Sequence, residues 1–388
     1  MSQRKQATDF APQVSLPLAD MFDTYLLPDD KAGDYSNLVA VYDVIPRFFT
    51  WNKTVRPLKP GIEGSDTETR SELIERLADN QTTLEGEIKG SKFEVVITAA
   101  TITKKAKSGS AKHEPDSVMT GVDKSSLTKL EIYPGLREEL VEDALRKFSV
   151  SGYGIVDGSQ LRVRFTLRDL MLELKSLGHT FSCTEIKEAL DILNRAHLSI
   201  KIESGNEMIE ESSTYLPHLR FAHKRKVVDG EDVCIAQLHP LIVRAIRGGT
   251  FRLYGYRKSM ELSSSLARIV HKHLSMYWVN ASAAHPYSIN LLETLRTTSR
   301  GVVARMNDNT RLMEKALEEL IESKVLTHFD KRVIRVPKSK AIADVVYTVY
   351  PTNEYVGTII KSHQNLKRVS AKTQRHALLN RGGRGQRS

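Results

Sequence analysis

The chain has 388 residues, 40% of them hydrophobic and 27% charged, which fits a soluble globular protein of two or three domains. Its two cysteines, Cys183 and Cys234, form no CxxC or metal-ligand pattern, so a disulfide scaffold and a zinc site are both disfavoured. No apolar stretch follows the N-terminal MSQRKQATDF and no run approaches 18 apolar residues, so no membrane partner is expected and the location is expected to be cytoplasmic.

The net charge of +10 is unevenly placed. Residues 1–135 carry 17 Lys and Arg against 20 Asp and Glu, and residues 136–232 carry 14 against 17. Residues 233–360 carry 18 against 10, and residues 361–388 carry 8 against none. The surplus positive charge therefore lies in the last 156 residues, which points to a polyanionic partner and locates the surface that meets it.

In chain order, residues 1–36 have little periodicity. Residues 37–51 look like strand material broken by Pro46, and 66–79 have helix-forming composition. Residues 82–104 predict two strands with a turn at 87–92, and the polar, Gly/Ser/Lys-rich run 104–126 predicts a flexible linker. No motif assigns a task to residues 1–127.

From Leu127 the pattern sharpens. A short strand ends at Pro134-Gly135, and residues 137–148 form an amphipathic helix with Leu140, Val141, Ala144, Leu145 and Phe148 inward. Leu161–Phe165 alternates as a strand. Thr166 caps one helix with Asp169 three residues on, and Ser182 caps the next with Glu185. Residues 198–202 and 208–209 then make a hairpin around Ser204-Gly205-Asn206.

Residues 234–260 hold five Lys or Arg and no acid: Arg244, Arg247, Arg252, Arg257 and Lys258 are candidate phosphate contacts. Leu241, Ile242, Ala245 and Ile246 in the same stretch read as ordinary helix packing. Residues 263–278 predict a further helix.

Residues 307–340 predict a helix and then a hairpin. Leu312, Met313, Ala316, Leu317, Leu320 and Ile321 make one apolar face, and Asn307, Asp308 and Asn309 offer N-caps. Residues 325–329 and 332–336 alternate as strands around a turn at Asp330-Lys331, and Thr348-Val349-Tyr350 predicts a closing strand. This is the second half of a winged helix-turn-helix unit. The helix carries Arg311 and Lys315 early and Glu318, Glu319 and Glu322 late, against its own dipole. The functional reading is a basic N-terminal half that enters a DNA major groove. The competing reading pairs Lys315 with Glu318 or Glu319 on a solvated face.

The same order of elements occurs earlier in the chain. Residues 188–200 superpose on 315–327, matching Ala189 with Ala316, Leu190 with Leu317, Leu193 with Leu320 and Leu198 with Val325, and residues 166–174 correspond to 288–295. In the earlier copy Glu185 and Glu188 precede Arg195 and His197, in agreement with the dipole, so that copy reads as structural or as a protein contact. The expected fold class is α+β: two tandem winged-helix domains, with an N-terminal extension and a basic disordered C-terminal tail. The domains are expected at 1–127 (extension), 128–258 (first winged helix, for dimerisation or structure), 259–350 (second winged helix, for DNA) and 351–388 (tail).

No GxxxxGK[ST] occurs, which disfavours an ATP-driven motor. His271-Lys272-His273 superficially resembles the paired histidines of rolling-circle nickases, but its charged middle residue and helical context argue against a metal site. No cofactor and no enzymatic activity are expected.

The order of elements and the apolar pattern over roughly residues 128–350 resemble the iteron-binding plasmid replication initiators. The residues that carry the likeness are REELVEDALRKF and TEIKEALDILNRAHLSI in the first unit, and SSSLARIVHKHL, SINLLETL and NTRLMEKALEELIESKVLTHF in the second. The resemblance implies binding to direct repeats in double-stranded origin DNA, melting of an adjacent AT-rich region, recruitment of a host initiator and replicative helicase, and a homodimer through the first unit. Candidate DNA contacts are Arg300, Arg305, Asn307, Asn309, Thr310, Arg311 and Lys315 on and before the helix, with Lys331, Arg332 and Arg335 on the hairpin. The alternatives are a winged-helix transcriptional repressor without initiator activity, or an RNA- or host-factor-binding protein acting through the Arg-rich tail.

Overall fold

The computed structural model of the protein describes residues 34–49, 54–55, 80–105, 127–157, 160–204, 207–222, 233–248, 250–339, 341–364 and 367. The expected helix at 66–79, most of the linker and nearly all of the tail beyond 364 lie outside these residues. Strand β1 (Tyr35–Val39) and helix α1 (Ala40–Asp43) come first, then β2 (Thr54–Val55), β3 (Gln81–Ile88), β4 (Ser91–Thr98) and β5 (Ala100–Lys105). Strand β6 (Leu127–Ile132), helix α2 (Leu136–Phe148), β7 (Gly154–Asp157) and β8 (Gln160–Thr166) follow.

Helices α3 (Leu167–Ser176) and α4 (Cys183–Arg195) lead into the hairpin of β9 (His197–Ser204) and β10 (Glu207–Thr214). Both helices start where the sequence places their caps. Thr166 and Ser182 accept from the backbone N–H of Asp169 and Glu185, whose carboxylates accept from the cap N–H in return. Strands β11 (Leu219–Ala222) and β12 (Val233–Gln237), helix α5 (Pro240–Gly248), strand β13 (Phe251–Gly255) and helix α6 (Tyr256–Glu261) complete the first unit.

The second unit runs α7 (Ser265–Tyr277), β14 (Tyr287–Asn290), α8 (Leu291–Arg296), α9 (Met306–Glu322), β15 (Leu326–Arg335) and β16 (Ile342–Pro351). A helix over 353–364, α10, closes the described chain. The expected boundary of a disordered tail at 351 is thereby corrected. Tyr355, Ile359 and Ser362 recur at helical spacing and are buried.

The N-terminal stretch that sequence left without a task is built into the first unit. Strand β4 pairs with β9, so the β9–β10 hairpin becomes half of a four-stranded sheet ordered β10-β9-β4-β3. Strand β1 pairs with β13, from Tyr35 opposite Gly255 to Val39 opposite Phe251. The two copies of the repeat therefore close their sheets differently. In the second, β16 lies between β14 and β15; in the first, β8 lies between β12 and β7, away from the hairpin. The matched helix positions behave alike nonetheless: Ala189, Leu190, Leu193 and Leu198, and Ala316, Leu317, Leu320 and Val325, are all buried.

Two sequence expectations change here. Residues 288–290 are strand, so the helix matched to 166–174 is shortened to Leu291–Arg296. The hairpin does not turn at Asp330-Lys331: β15 continues to Arg335, and the chain reverses between Arg335 and Ile342, with Lys338 at φ +61°. Asp330 and Lys331 stay paired with Thr348 and Tyr347 of β16, and Pro337-Lys338-Ser339 supplies the turn-forming residues.

Helix α2 departs most from its amphipathic reading, because its polar face is buried as well. Glu139, Glu142, Asp143 and Arg146 lie under the N-terminal segment and α7. The Arg146 guanidinium holds both carboxylate oxygens of Asp43 and bonds Asn37. Arg47 bonds Asp43 at 3.0 Å and Glu142 at 2.8 Å, with its guanidinium 3.7 Å above the Tyr42 ring. From α7, the Lys272 ammonium reaches Asp143 at 2.6 Å and Glu139 at 3.2 Å. Burial alone would raise the Asp43 carboxyl, but the two arginines and Lys272 bring it down to about 2. This cluster crosses from one unit to the other. A buried charge network specifies a geometry more than it stabilises one.

His239 and His271 are buried, and burial together with neighbouring cations lowers both to about 3. Their folded pKa lies below the unfolded value of about 6.5, so the stability they allow is complete above that pH. It is lost as pH falls, at about 1.4 kcal/mol per pH unit for each histidine. Asp43 contributes nothing to the first part of this loss, since its own contribution disappears only between about 4 and 2. The urea midpoint should drop clearly between pH 7 and pH 5, and His271→Leu should narrow the drop. Equal midpoints at both pH values would show that these rings are not buried neutral.

Candidate nucleic-acid interface

The link between α8 and α9 is fixed by its own side chains. The Thr297 and Thr298 hydroxyls donate to the carbonyls of Thr294 and Leu295 at 2.8 and 2.7 Å, and Gly301 takes a left-handed φ of +65°. Asn309 then clamps the loop: its side-chain oxygen accepts from the Val303 N–H at 3.0 Å and its amide donates to the Val303 carbonyl at 2.8 Å. The expected N-caps are not used. Arg305 is the N-cap and makes no side-chain cap bond.

Clamped in this way, α9 buries Met313, Ala316, Leu317 and Leu320 and exposes Asn307, Asp308, Arg311, Lys315, Glu318 and Glu322. Arg311 and Lys315 lie one turn apart on that outer face and make no ion pair among the described residues, so the expected alternative of a Lys315 pair with Glu318 or Glu319 is not formed. Arg300, within the link that leads into the helix, and Arg305, at its end, are both exposed.

Two of the candidate contacts are corrected. Asn309 is 1% exposed and uses both polar atoms on Val303. Thr310 is 7% exposed, and its hydroxyl is buried without a hydrogen-bond partner among the described residues. Neither reaches the outer face, because positions 309, 310, 313, 316, 317 and 320 are the helix's inward stripe.

The acidic end of α9 has an explanation in packing. The Glu319 carboxylate accepts from the backbone N–H of Ser263 and of Ser264, the latter at 3.1 Å, where α7 begins. It satisfies the N-terminus of a neighbouring helix at the cost of its own dipole. Glu314 reaches Lys331 on the hairpin at 2.7 Å and ties helix to strand.

The strand period of two divides the hairpin cations. Phe329, Lys331, Val333 and Arg335 share the face that carries Val349, Tyr347 and Val345 into the second core, whereas His328, Asp330, Arg332 and Ile334 take the opposite face. Lys338, at the exposed turn, was missed by sequence reading because the turn was placed eight residues too early; its PKSK composition was the available signal. Of the cations at 244–258, four are engaged within the fold. Arg244 pairs with Glu211, Arg252 with His363, Arg257 with Glu261, and Lys258 with Glu354 and the Ser323 carbonyl. The Arg247 side chain lies outside the described residues. His273 bonds the Tyr287 hydroxyl at 3.0 Å, and among the described residues no His, Cys, Asp and Glu cluster forms a metal site.

No helix among the described residues is long and apolar enough to cross a membrane. No family model matches the chain, and no curated protein matches it. Solved structures do show similarity. Domains 2 and 3 of RctB match at 12% identity with a TM-score of 0.42, over 70% of this chain and 91% of that one. A second structure of the same RctB domains matches at 12% identity and 0.40, over 72% and 94%. The Pi initiator protein in complex with iteron DNA matches at 13% identity and 0.38, over 56% and 91%.

Proposed function

We propose that the protein is a plasmid replication initiator that binds directly repeated duplex sites at an origin. The observation that carries this reading is the outer face of α9, where Arg311 and Lys315 stand unpaired in a helix whose approach is locked by the Asn309 clamp. A strand, two helices and a hairpin around a sheet ordered β14-β16-β15 fit a winged helix, and the first unit repeats the element order. In this reading α9 enters the major groove, the hairpin meets the backbone, and the first unit serves structure and self-association. Origin melting and recruitment of a host initiator and helicase belong to the same reading through the family resemblance. The role needs no catalytic group.

The test is a titration of the full chain against duplexes from beside its own coding region that carry several direct repeats, one repeat, or a shuffled repeat, over a salt series. The repeat should win over the shuffled duplex by about a thousandfold or more. Equal affinity for all three, with the same steep salt dependence, would reduce the protein to a non-specific polyanion binder and end the proposal.

A further inference from the structure

We infer that neighbouring copies of the chain touch head to tail on directly repeated sites, through two oppositely charged sheet faces of the first unit. This rests on the reading of the protein as a binder of direct repeats and adds the contact between the bound copies. Direct repeats hold every copy in the same orientation, so a two-fold contact, which sets one patch against itself, does not fit between neighbours. The contact has to join two different surfaces, one from each copy. One of them is the outer side of the sheet β10-β9-β4-β3, whose inner side buries Phe93, Val95, Ile97, Leu198 and Ile200. The strand period puts Glu85 and Glu87 of β3, Glu94 of β4, Glu203 of β9 and Glu210 of β10 on the outer side, and all five are exposed. Two lysines share that side: Lys92 stands between Glu87 and Glu203, and Lys201 between Glu94 and Glu210. Glu85 is directly opposite Glu94, a like-charge arrangement that weakens a strand pair. A positive surface laid over the sheet would relieve it.

The sheet β11-β12-β8-β7 carries the reverse charge. Leu161, Val163, Phe165, Cys234 and Ala236 form its buried side. On the other side Arg220, Ile235 and Arg164 make one row across β11, β12 and β8, and Arg162 follows two residues away on β8. None of these three strands contains an acid. Arg164 and Arg220 are exposed and make no ion pair among the described residues. Ile235, half-buried between them, gives the row an apolar centre that the arginine stems can cover. Five glutamates less two lysines leave the first face at −3, and three arginines bring the second to +3. A duplex would match the arginines and leave the glutamates without a use, whereas a second copy of the chain matches both. Exposed charges are screened, so the contact is weak between free molecules. Two copies held side by side on DNA meet at a high effective concentration, and there the same contact raises occupancy.

The test uses the full chain as wild type and as three variants: Arg164→Glu/Arg220→Glu, Glu85→Lys/Glu94→Lys, and all four changes together. Each is titrated against duplexes with one repeat, two direct repeats, two repeats with one inverted, or a shuffled repeat, and thermal midpoints are measured on the free proteins. The wild type should fill the second direct repeat roughly tenfold more tightly than an isolated one, with a gain that shrinks as salt rises and is absent on the inverted pair. Either pair of changes should abolish the gain and keep the preference for one repeat over the shuffled duplex. The four changes together set opposite charges against each other again and should return the gain. If that chain does not fold, an equal mixture of the two paired variants takes its place, since it restores the same complementarity. A gain kept by either paired variant, or not returned by the restored combination, would overturn the contact and leave the DNA reading intact. Equal weakening on one and two repeats by the arginine changes would make that face a DNA contact, and an equal gain on the inverted pair would mean a two-fold contact; each would overturn the proposal. A wild type that reads one repeat but shows no gain on two overturns the contact alone, whereas one with no preference for the repeat over the shuffled duplex overturns the proposed function.

Discussion

Asp43→Ala should cost about 3–5 kcal/mol of stability, the range expected when one partner is taken from a buried charge network. Asp43 is 8% exposed, and its carboxylate bonds Arg146, Arg47 and the Val39 N–H at the junction of β1, α1 and α2. Without it two guanidiniums stay buried with one carboxylate, Glu142, and the Asn37 amide between them. The loss is a large share of a stability that for a typical domain is about 5–15 kcal/mol. Arg146→Met alone should be destabilising too, but Asp43→Ala/Arg146→Met should lose less than the sum of the two, since it leaves no orphan charge from that pair. Urea midpoints of the three variants decide the matter. Additive losses would mean that Asp43 and Arg146 do not share an energetic unit. A near-neutral Asp43→Ala would mean that the N-terminal segment is not the structural part its contacts describe.

The second large effect belongs to Arg311. Its exposed position one turn before Lys315 suits a bidentate contact with a guanine edge, worth about 1–3 kcal/mol of discrimination. Arg311→Ala should relax preference at one base pair of each repeat and leave the fold unchanged, because the residue packs against nothing in the core. Arg332→Ala should weaken all sequences about equally, since a phosphate contact positions the protein without reading bases. A binding series over every single-base variant of the site, run with both variants at one salt concentration, separates the two roles. Uniform weakening by Arg311→Ala would make that residue a phosphate clamp, and the reader would have to be sought at Arg300 or Arg305.

What could be read from sequence and what could not divide along a physical line. Capping boxes are local chemistry, and Thr166 with Asp169 and Ser182 with Glu185 were legible to the residue. So were the buried stripes of α4 and α9, because period and burial are coupled. The outer positions of Arg311 and Lys315 followed from the same stripe. Sheet closure is non-local and was not legible. Nothing in the alternation of residues 91–98 says that they pair with His197–Glu203 in place of a strand of the repeat. The polar face of α2 read as solvated because Glu139, Glu142, Asp143 and Arg146 are charged, and their partners sit about 100 residues before or 130 after them. Asn309 looked like a cap or a base contact, since the sequence does not show that the Val303 backbone waits for it. The hairpin turn was misplaced because Asp330-Lys331 is as polar as a turn, although it stands mid-strand.

The pairing of β1 with β13 bears on how the protein is made. Val39 leaves the ribosome roughly 200 residues before Phe251, its partner in the sheet. At roughly 5–20 residues per second, about 10–40 s pass in which the first strand has no mate. Leu38 and Tyr42, fully covered in the finished fold, remain uncovered for that interval. The early chain is thus a client for holding factors during synthesis, and rare codons between residues 40 and 250 would lengthen its exposure to aggregation and proteolysis. Chains stalled on the ribosome well before residue 251 should be cut readily within 35–49, and chains stalled well after 255 should resist. Resistance already at the shorter length would mean that the strap docks on the first unit without its strand partner.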